Sequence, residues 1–276
     1  MPDLELFPSP VLTITYHPIV PDSASAEGET AWLETIVEDR RGFQERIDRM
    51  LPVGHSFDNF APFQTMKVGD PIYVSPLAPS CDDVEKHGDV TLRALNALQA
   101  KVSAPWFYAN GNGWPTRVIF RVGVISPKTQ EAYCSDDYGW SGTAGRGFVG
   151  RPFSVFKYES PYDFFSQEYT GALEHELGHN LGLIHTNEDP QFPMDGGVIN
   201  ADGYLVRRIG WRGNEIHVMH MGEAQDFMQV GIGRGRSDER WVSAYSWDKM
   251  VRFLRKDGPM NSNARVNTHA TWVCTH

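Results

Sequence analysis

The sequence predicts an α+β fold: a twisted mixed sheet with helices in a larger N-terminal part, then a smaller, loop-rich part closed by one helix. Three observations carry this. Runs of β-branched residues fill the first half, a helical period surrounds residues 166–181, and glycine, proline and aspartate crowd the chain after residue 185.

Taken in order, residues 11–20 are rich in β-branched side chains and read as a strand ended by Pro21. Residues 22–30 are small, polar and acidic and read as a loop. Residues 31–50 read as a helix, with Trp32, Ile36, Phe43, Ile47 and Met50 as apolar positions. Pro and Asp dominate 55–88, which predicts loops with a short strand near Ile72–Val74. Residues 89–102 fit an amphipathic helix through Val90, Leu92, Leu95, Leu98 and Val102. A turn at 110–113 precedes a strand over Arg117–Ile125. One more strand is expected within the glycine-rich 133–150 or just after it, at Phe153–Tyr158. A helix should run over about 166–181. The chain after His185 reads as irregular until a last helix at about 243–254.

The 276 residues suit one large domain or two sub-domains meeting at a cleft, divided here as 1–185 and 186–276. Hydrophobic residues make up 41%, with 15 Phe, 10 Tyr and 8 Trp, which is enough for a core. The net charge of −10 argues against nucleic acid or anionic membranes as main partners, since both need a basic surface. No apolar run approaches the roughly 18–20 residues of a membrane span. Met1–Pro8 shows no basic stretch followed by an apolar one, so no signal peptide is read there. A mature form, another export route and an intracellular chain all fit. Cys81, Cys134 and Cys274 form no CxxC. A Cys134–Cys274 bridge, a Cys81–Cys134 bridge and three thiols all fit the count.

The chemistry is concentrated in residues 175–185, His-Glu-Leu-Gly-His-Asn-Leu-Gly-Leu-Ile-His. His175 and His179 are four apart, so on a helix they share one face. Both imidazoles can then reach one metal ion. Glu176 sits beside the pair, suited to touch a water rather than the metal. Leu173, Leu177 and Leu181 form the opposite, dry face. A helix that continued would carry His185 away. Gly182 can take the left-handed conformation that ends a helix, so the chain can turn and bring His185 back. Three histidines leave a fourth position for water, the pattern of a catalytic zinc site. One zinc ion is therefore expected, with Glu176 as general base.

The pattern His-Glu-x-x-His-x-x-Gly-x-x-His resembles the signature of the metzincin zinc metallopeptidases. The resemblance implies a zincin catalytic domain that cleaves protein or glycoprotein substrates. It also implies a methionine-containing turn below the zinc. Met219, Met221 and Met228 are the candidates, and Met228 in Asp226-Phe227-Met228 is favoured. Asp-Phe-Met, then Trp241-Val-Ser-Ala-Tyr245 and a helix, is similar to secreted microbial metzincins related to mucin-degrading proteases. That likeness implies an extracellular protein, and a monomer is expected. Two departures stand out. Val230 occupies the position where some metzincins carry a tyrosine that approaches the zinc. Cys81 lacks the flanking residues of a cysteine-switch propeptide.

Substrate is expected along an edge strand before the helix, within Gly147–Phe156, with Gly147, Phe148 and Val149 as contacts. An ordinary edge strand is the plainer reading. Tyr245 could donate to a developing oxyanion, or be a packed core tyrosine. Asp136 with Asp137, and Asp189 with Asp195, could hold calcium, though loop acids are common. His217 and His220 lack a third ligand for a second metal. Gly231–Arg236 lacks the strand and helix of a nucleotide site. Arg234, Arg236 and Arg240 read as a solvated cluster before an acidic-substrate site. A zinc-bearing binding or toxin-like module is the alternative function. An intact Glu176 speaks against it, because recognition alone has no use for that base.

Overall fold

The computed structural model describes residues 10–21, 26–38, 47, 51–52, 65–75, 90–102, 107–109, 115–132, 145–158, 171–193, 203–210, 213–219, 225–229 and 240–257. Its centre is a mixed, mostly parallel seven-stranded sheet. Strand β1 (Val11–Val20) pairs in parallel with β2 (Thr65–Val68), β3 (Ile72–Tyr73) and β5 (Pro115–Ile125). Strand β5 continues in parallel to β7 (Phe153–Lys157). Two short strands run against this direction: β4 (Phe107–Ala109) on β5, and β6 (Gly145–Gly147) on β7. The main order is β2-β1-β5-β7-β6, so β6 lies at one edge.

Parallel neighbours need crossovers, and the helices supply them. Helix α1 (Ala26–Glu38) follows β1, and α2 (Val90–Lys101) lies between β3 and β4. The six-residue α3 (Pro127–Ala132) follows β5, and α4 (Gly171–Asn180) follows β7. Strands and helices thus interleave through the first 180 residues, with helices between strands as expected over 31–50 and 89–102, the first shifted toward the N-terminus. The alternation in β1 and β5 sorts the two faces. Leu12, Ile14 and Tyr16 join Val118, Phe120, Val122 and Val124 in one cluster with Leu33 and Ile36 of α1 and Leu173 and Leu177 of α4. Ile19, Ile125 and Val155 face the other way, onto Ala94, Leu95 and Leu98 of α2. Strand β1 is buried along most of its length.

The C-terminal part holds a hairpin of β8 (Gly203–Gly210) and β9 (Gly213–Met219), and a short parallel pair, β10 (Gln225–Asp226) and β11 (Arg240–Trp241). Helix α5 (Ala244–Arg252) follows, N-capped by the Ser243 hydroxyl, which accepts from Ser246 N at 3.1 Å. A π-turn, Phe253–Asp257, extends it. Phe227, Met228, Met250 and Leu254 share the large cluster with β1 and β5, so one core spans both sides of residue 185.

Several expectations are corrected. Helix α1 begins at Ala26, inside the span read as a loop: Glu27 and Glu29 lie in its first turn, where acids favour the positive helix end. Strands β2 and β4 and helix α3 were not expected; each is short and held by pairing or packing from distant residues. The stretch after His185 is not irregular throughout. Hairpin β8–β9 escapes a periodicity reading because Arg207 and Arg208 interrupt its apolar alternation, and the register slips between Val206 and Arg208. Cys81, Cys134, Cys274, Asp136, Asp137, Asp195, His220, Met221, Val230, Arg234 and Arg236 lie outside the described residues. No helix among the described residues is long and apolar enough to cross a membrane.

Candidate metal centre

Helix α4 presents two faces. Leu173 and Leu177, with Leu181 just beyond its end, enter the core. His175 and His179 lie one turn apart on another side, with ring centroids 4.8 Å apart. His185 comes within 5.1 Å of the first ring and 4.9 Å of the second. The three offer ligand atoms within 4.8 Å of one another, and all three residues are buried. The return of His185 depends on Gly182, whose φ is +85°. Leu183 N donates to Gly178 O at 3.0 Å and Gly182 N to His179 O at 2.9 Å. These two bonds define a Schellman cap, which closes the helix with a left-handed residue.

Each histidine is oriented through Nδ1. His175 Nδ1 donates to Phe227 O at 2.7 Å, and His179 Nδ1 to Leu183 O at 2.9 Å. His185 Nδ1 donates to Glu188 Oε2 at 3.1 Å. A carbonyl oxygen can only accept, so Nδ1 carries the proton in the first two rings. Nε2 is left with its lone pair, the form a metal requires. The buried His179 Nε2 has no hydrogen-bond partner. Burial, and next the neighbouring His185, lower the His179 pKa to about 3, against a small upward pull from Leu183 O. Burial brings His185 down to about 4. His179 and His185 are therefore neutral imidazoles at ordinary pH. The donor set fits a borderline-soft divalent ion such as zinc.

The floor of the site is a turn at Asp226–Gln229. Met228 is fully buried, and a Cβ added to Gly178 would lie 2.5 Å from its sulfur. The methionine thus occupies the space that glycine leaves on α4. Met228 O accepts from Thr186 N at 3.3 Å, one residue past the third histidine. Asp226 holds the turn. Its carboxylate accepts from Met228 N at 2.9 Å, Ser243 N at 3.0 Å and Ser246 Oγ at 2.8 Å. Burial pushes its pKa up, and these bonds pull back.

Glu176 is fully buried on α4, beneath the edge strand. A Cβ on Gly145 would lie 2.8 Å from Glu176 Oε1, and one on Gly147 would lie 3.1 Å from Oε2 and 3.2 Å from His179 Cβ. Strand β6 can approach the carboxylate because both glycines lack side chains. Gly147 ends β6, Phe148 bonds across to Phe153, and Val149 enters the turn. Asn180 bolts this hairpin to α4: Nδ2 donates to Phe148 O at 3.2 Å and Phe153 O at 3.0 Å, while Oδ1 accepts from Ser154 Oγ at 2.5 Å.

Tyr245 lies on α5, and its hydroxyl donates to Asp189 Oδ2 at 2.8 Å. Burial, then Asp189, raises its pKa to about 12. Lys249 Nζ also reaches Asp189 Oδ2, at 2.6 Å. Burial works to raise Asp189, but the bonds from Lys249, Tyr245 and Gln191 N outweigh it and hold the carboxyl below its ordinary value. Asp189 is thus engaged by a cation and a hydroxyl. Sequence reasoning missed the Phe227 and Leu183 carbonyls, Glu188 and Asn180. The carbonyls leave no trace in side-chain identity. Glu188 was legible in principle, as an acid three residues after a ligand.

No protein-family model and no curated protein matches the chain. Among solved structures it is similar to the crystal structure of archaemetzincin from Methanopyrus kandleri, with a TM-score of 0.46 and 13% identity over 91% of this chain and 100% of that one. The reading of the site rests on its own geometry.

Proposed function

We propose that the chain is a zinc-dependent endopeptidase of metzincin type, acting on proteins or glycoproteins. The observation that carries this is one helix turn and a Schellman cap that gather three oriented histidines beside a buried glutamate. His175, His179 and His185 would hold the ion through Nε2. When bound, zinc supplies a water of lowered pKa and a Lewis acid for the scissile carbonyl.

The chain's own groups do the rest. Glu176 takes the proton of the attacking water and passes it to the departing amine. Strand β6, at the sheet edge, offers backbone groups to an extended substrate, with Gly147, Phe148 and Val149 along the path. Tyr245 is left out of the reacting set, since its proton goes to Asp189. Met228 lies under the ligands as packing. The cleft would lie between the parts before and after residue 185, and the protein would act outside the cell as a monomer.

The test replaces Glu176 with Ala. The variant should bind one zinc as the native chain does, yet lose at least about a hundredfold in cleavage of casein, gelatin or mucin, the usual weight of a general base. Equal cleavage by both chains, or no zinc by metal analysis, would sink the proposal. A native chain that binds zinc but cleaves nothing would favour the binding-module alternative.

A further inference from the structure

The three histidines are oriented by unlike partners. His175 and His179 donate to neutral backbone carbonyls, of Phe227 and Leu183. His185 donates to a carboxylate, that of Glu188, at 3.1 Å.

The placement of Glu188 is built into the chain. Glu188 N and Asp189 N both donate to His185 O at 3.0 Å, which folds the backbone back over the third histidine. Asp189 is clamped from α5 by Tyr245 and Lys249, and Thr186 N is held by Met228 O. The turn is therefore fixed on both sides of Glu188. Its carboxylate meets the ring without having to order a free loop.

We propose that Glu188 is the positioning residue of the third histidine, and that its charge sets the affinity of the metal centre. The inference rests on the metal centre proposed above but not on peptidase activity. A carboxylate on Nδ1–H makes Nε2 more electron-rich and fixes the ring plane, and removing such a partner typically costs about 10–100-fold in metal affinity. A backbone carbonyl orients a ring equally well but brings no net charge toward a dication. The third ligand thus carries a carboxylate's charge on its Nδ1 side.

The test uses the full chain and metal ions alone. Zinc affinity is measured by competition with a chelating dye for the native chain, Glu188→Gln and Glu188→Ala, each stripped of metal first. The expected order is native, then Gln, then Ala, with Ala weaker by about 10–100-fold. Gln keeps an acceptor that orients the ring and loses the charge, so it should recover part of the loss. Cobalt loading gives a second readout: its visible bands should shift in Glu188→Ala, where the ring is released, and less in Glu188→Gln. A residue that merely supports the fold would lower the melting temperature of the metal-free chain and leave Glu188→Gln no better than Glu188→Ala in zinc affinity, which would overturn the proposal. Affinities within twofold across all three chains would overturn the proposal. Failure of the native chain to take up zinc would overturn it together with the metal centre. Loss of peptidase activity alone would touch neither.

Discussion

Gly182 shows how one backbone angle can decide a site. Its φ of +85° lies where side chains are strained, and a Cβ there would also come within 2.8 Å of Phe253 Cδ2. Replacing it with Ala should cost about 1–2 kcal/mol through the backbone alone. Denaturant unfolding of the metal-free chain measures this, and an unchanged midpoint would show that residue 182 does not hold that conformation. Metal affinity should fall with it, because His185 reaches the other two rings only through this turn. Here the sequence was fully legible. A glycine three residues after the second histidine and three before the third has few roles other than a reversal. The partners of the Nδ1 atoms were not legible, since any residue supplies a carbonyl and only the fold says which one arrives.

The strands were legible where their side chains alternate and opaque where pairing alone makes them. Strand β1 could be read from Val11–Val20 by its β-branched content, and β5 by Val118, Phe120 and Val122. Strand β2 could not, because its four residues become a strand only by lying in register beside Thr13–Tyr16. The junction after β2 carries a pH signature. Gly69 N donates to Tyr16 O at 2.7 Å, and His17 Nδ1 donates to Asp70 O at 2.9 Å. Burial, reinforced by Arg121 and Lys101 and opposed by Asp70, lowers the His17 pKa below 6.5. The unfolded chain then takes up this proton first as pH falls. The stability tied to a neutral His17 is complete above the unfolded pKa and is lost as pH drops through the folded one. A His17→Gln variant, which keeps a donor for the Asp70 carbonyl, should lose less stability than the native chain between about pH 7 and pH 5. Thermal melts in chelator test it, and parallel curves would rule out a buried neutral His17.

One continuous core joins β1 and β5 to Met228, Met250 and Leu254, so the metal centre is braced by the whole chain rather than by its signature alone. Zinc should accordingly stabilise the entire fold. At a free zinc concentration one hundred times Kd, the gain is about 2.7 kcal/mol for a single site absent from the unfolded chain. A calorimetric transition that rises as one peak with added zinc is the expected result; a split transition would mean that the two parts unfold separately. The composition had allowed either one domain or two. Buried side chains shared across residue 185, and the His175–Phe227 bond, join the two parts, and neither can be read from a linear pattern.

The carbonyl that orients His175 belongs to Phe227, 52 residues further along. Asp226, which holds that carbonyl's turn, is bound in its own right by Ser243 and Ser246 at the start of the last helix. On the ribosome, His179 and His185 therefore meet their orienting partners within four residues of chain. His175 waits for a carbonyl made 52 residues later. The nascent chain displays the full signature before the first of its three histidines can be oriented.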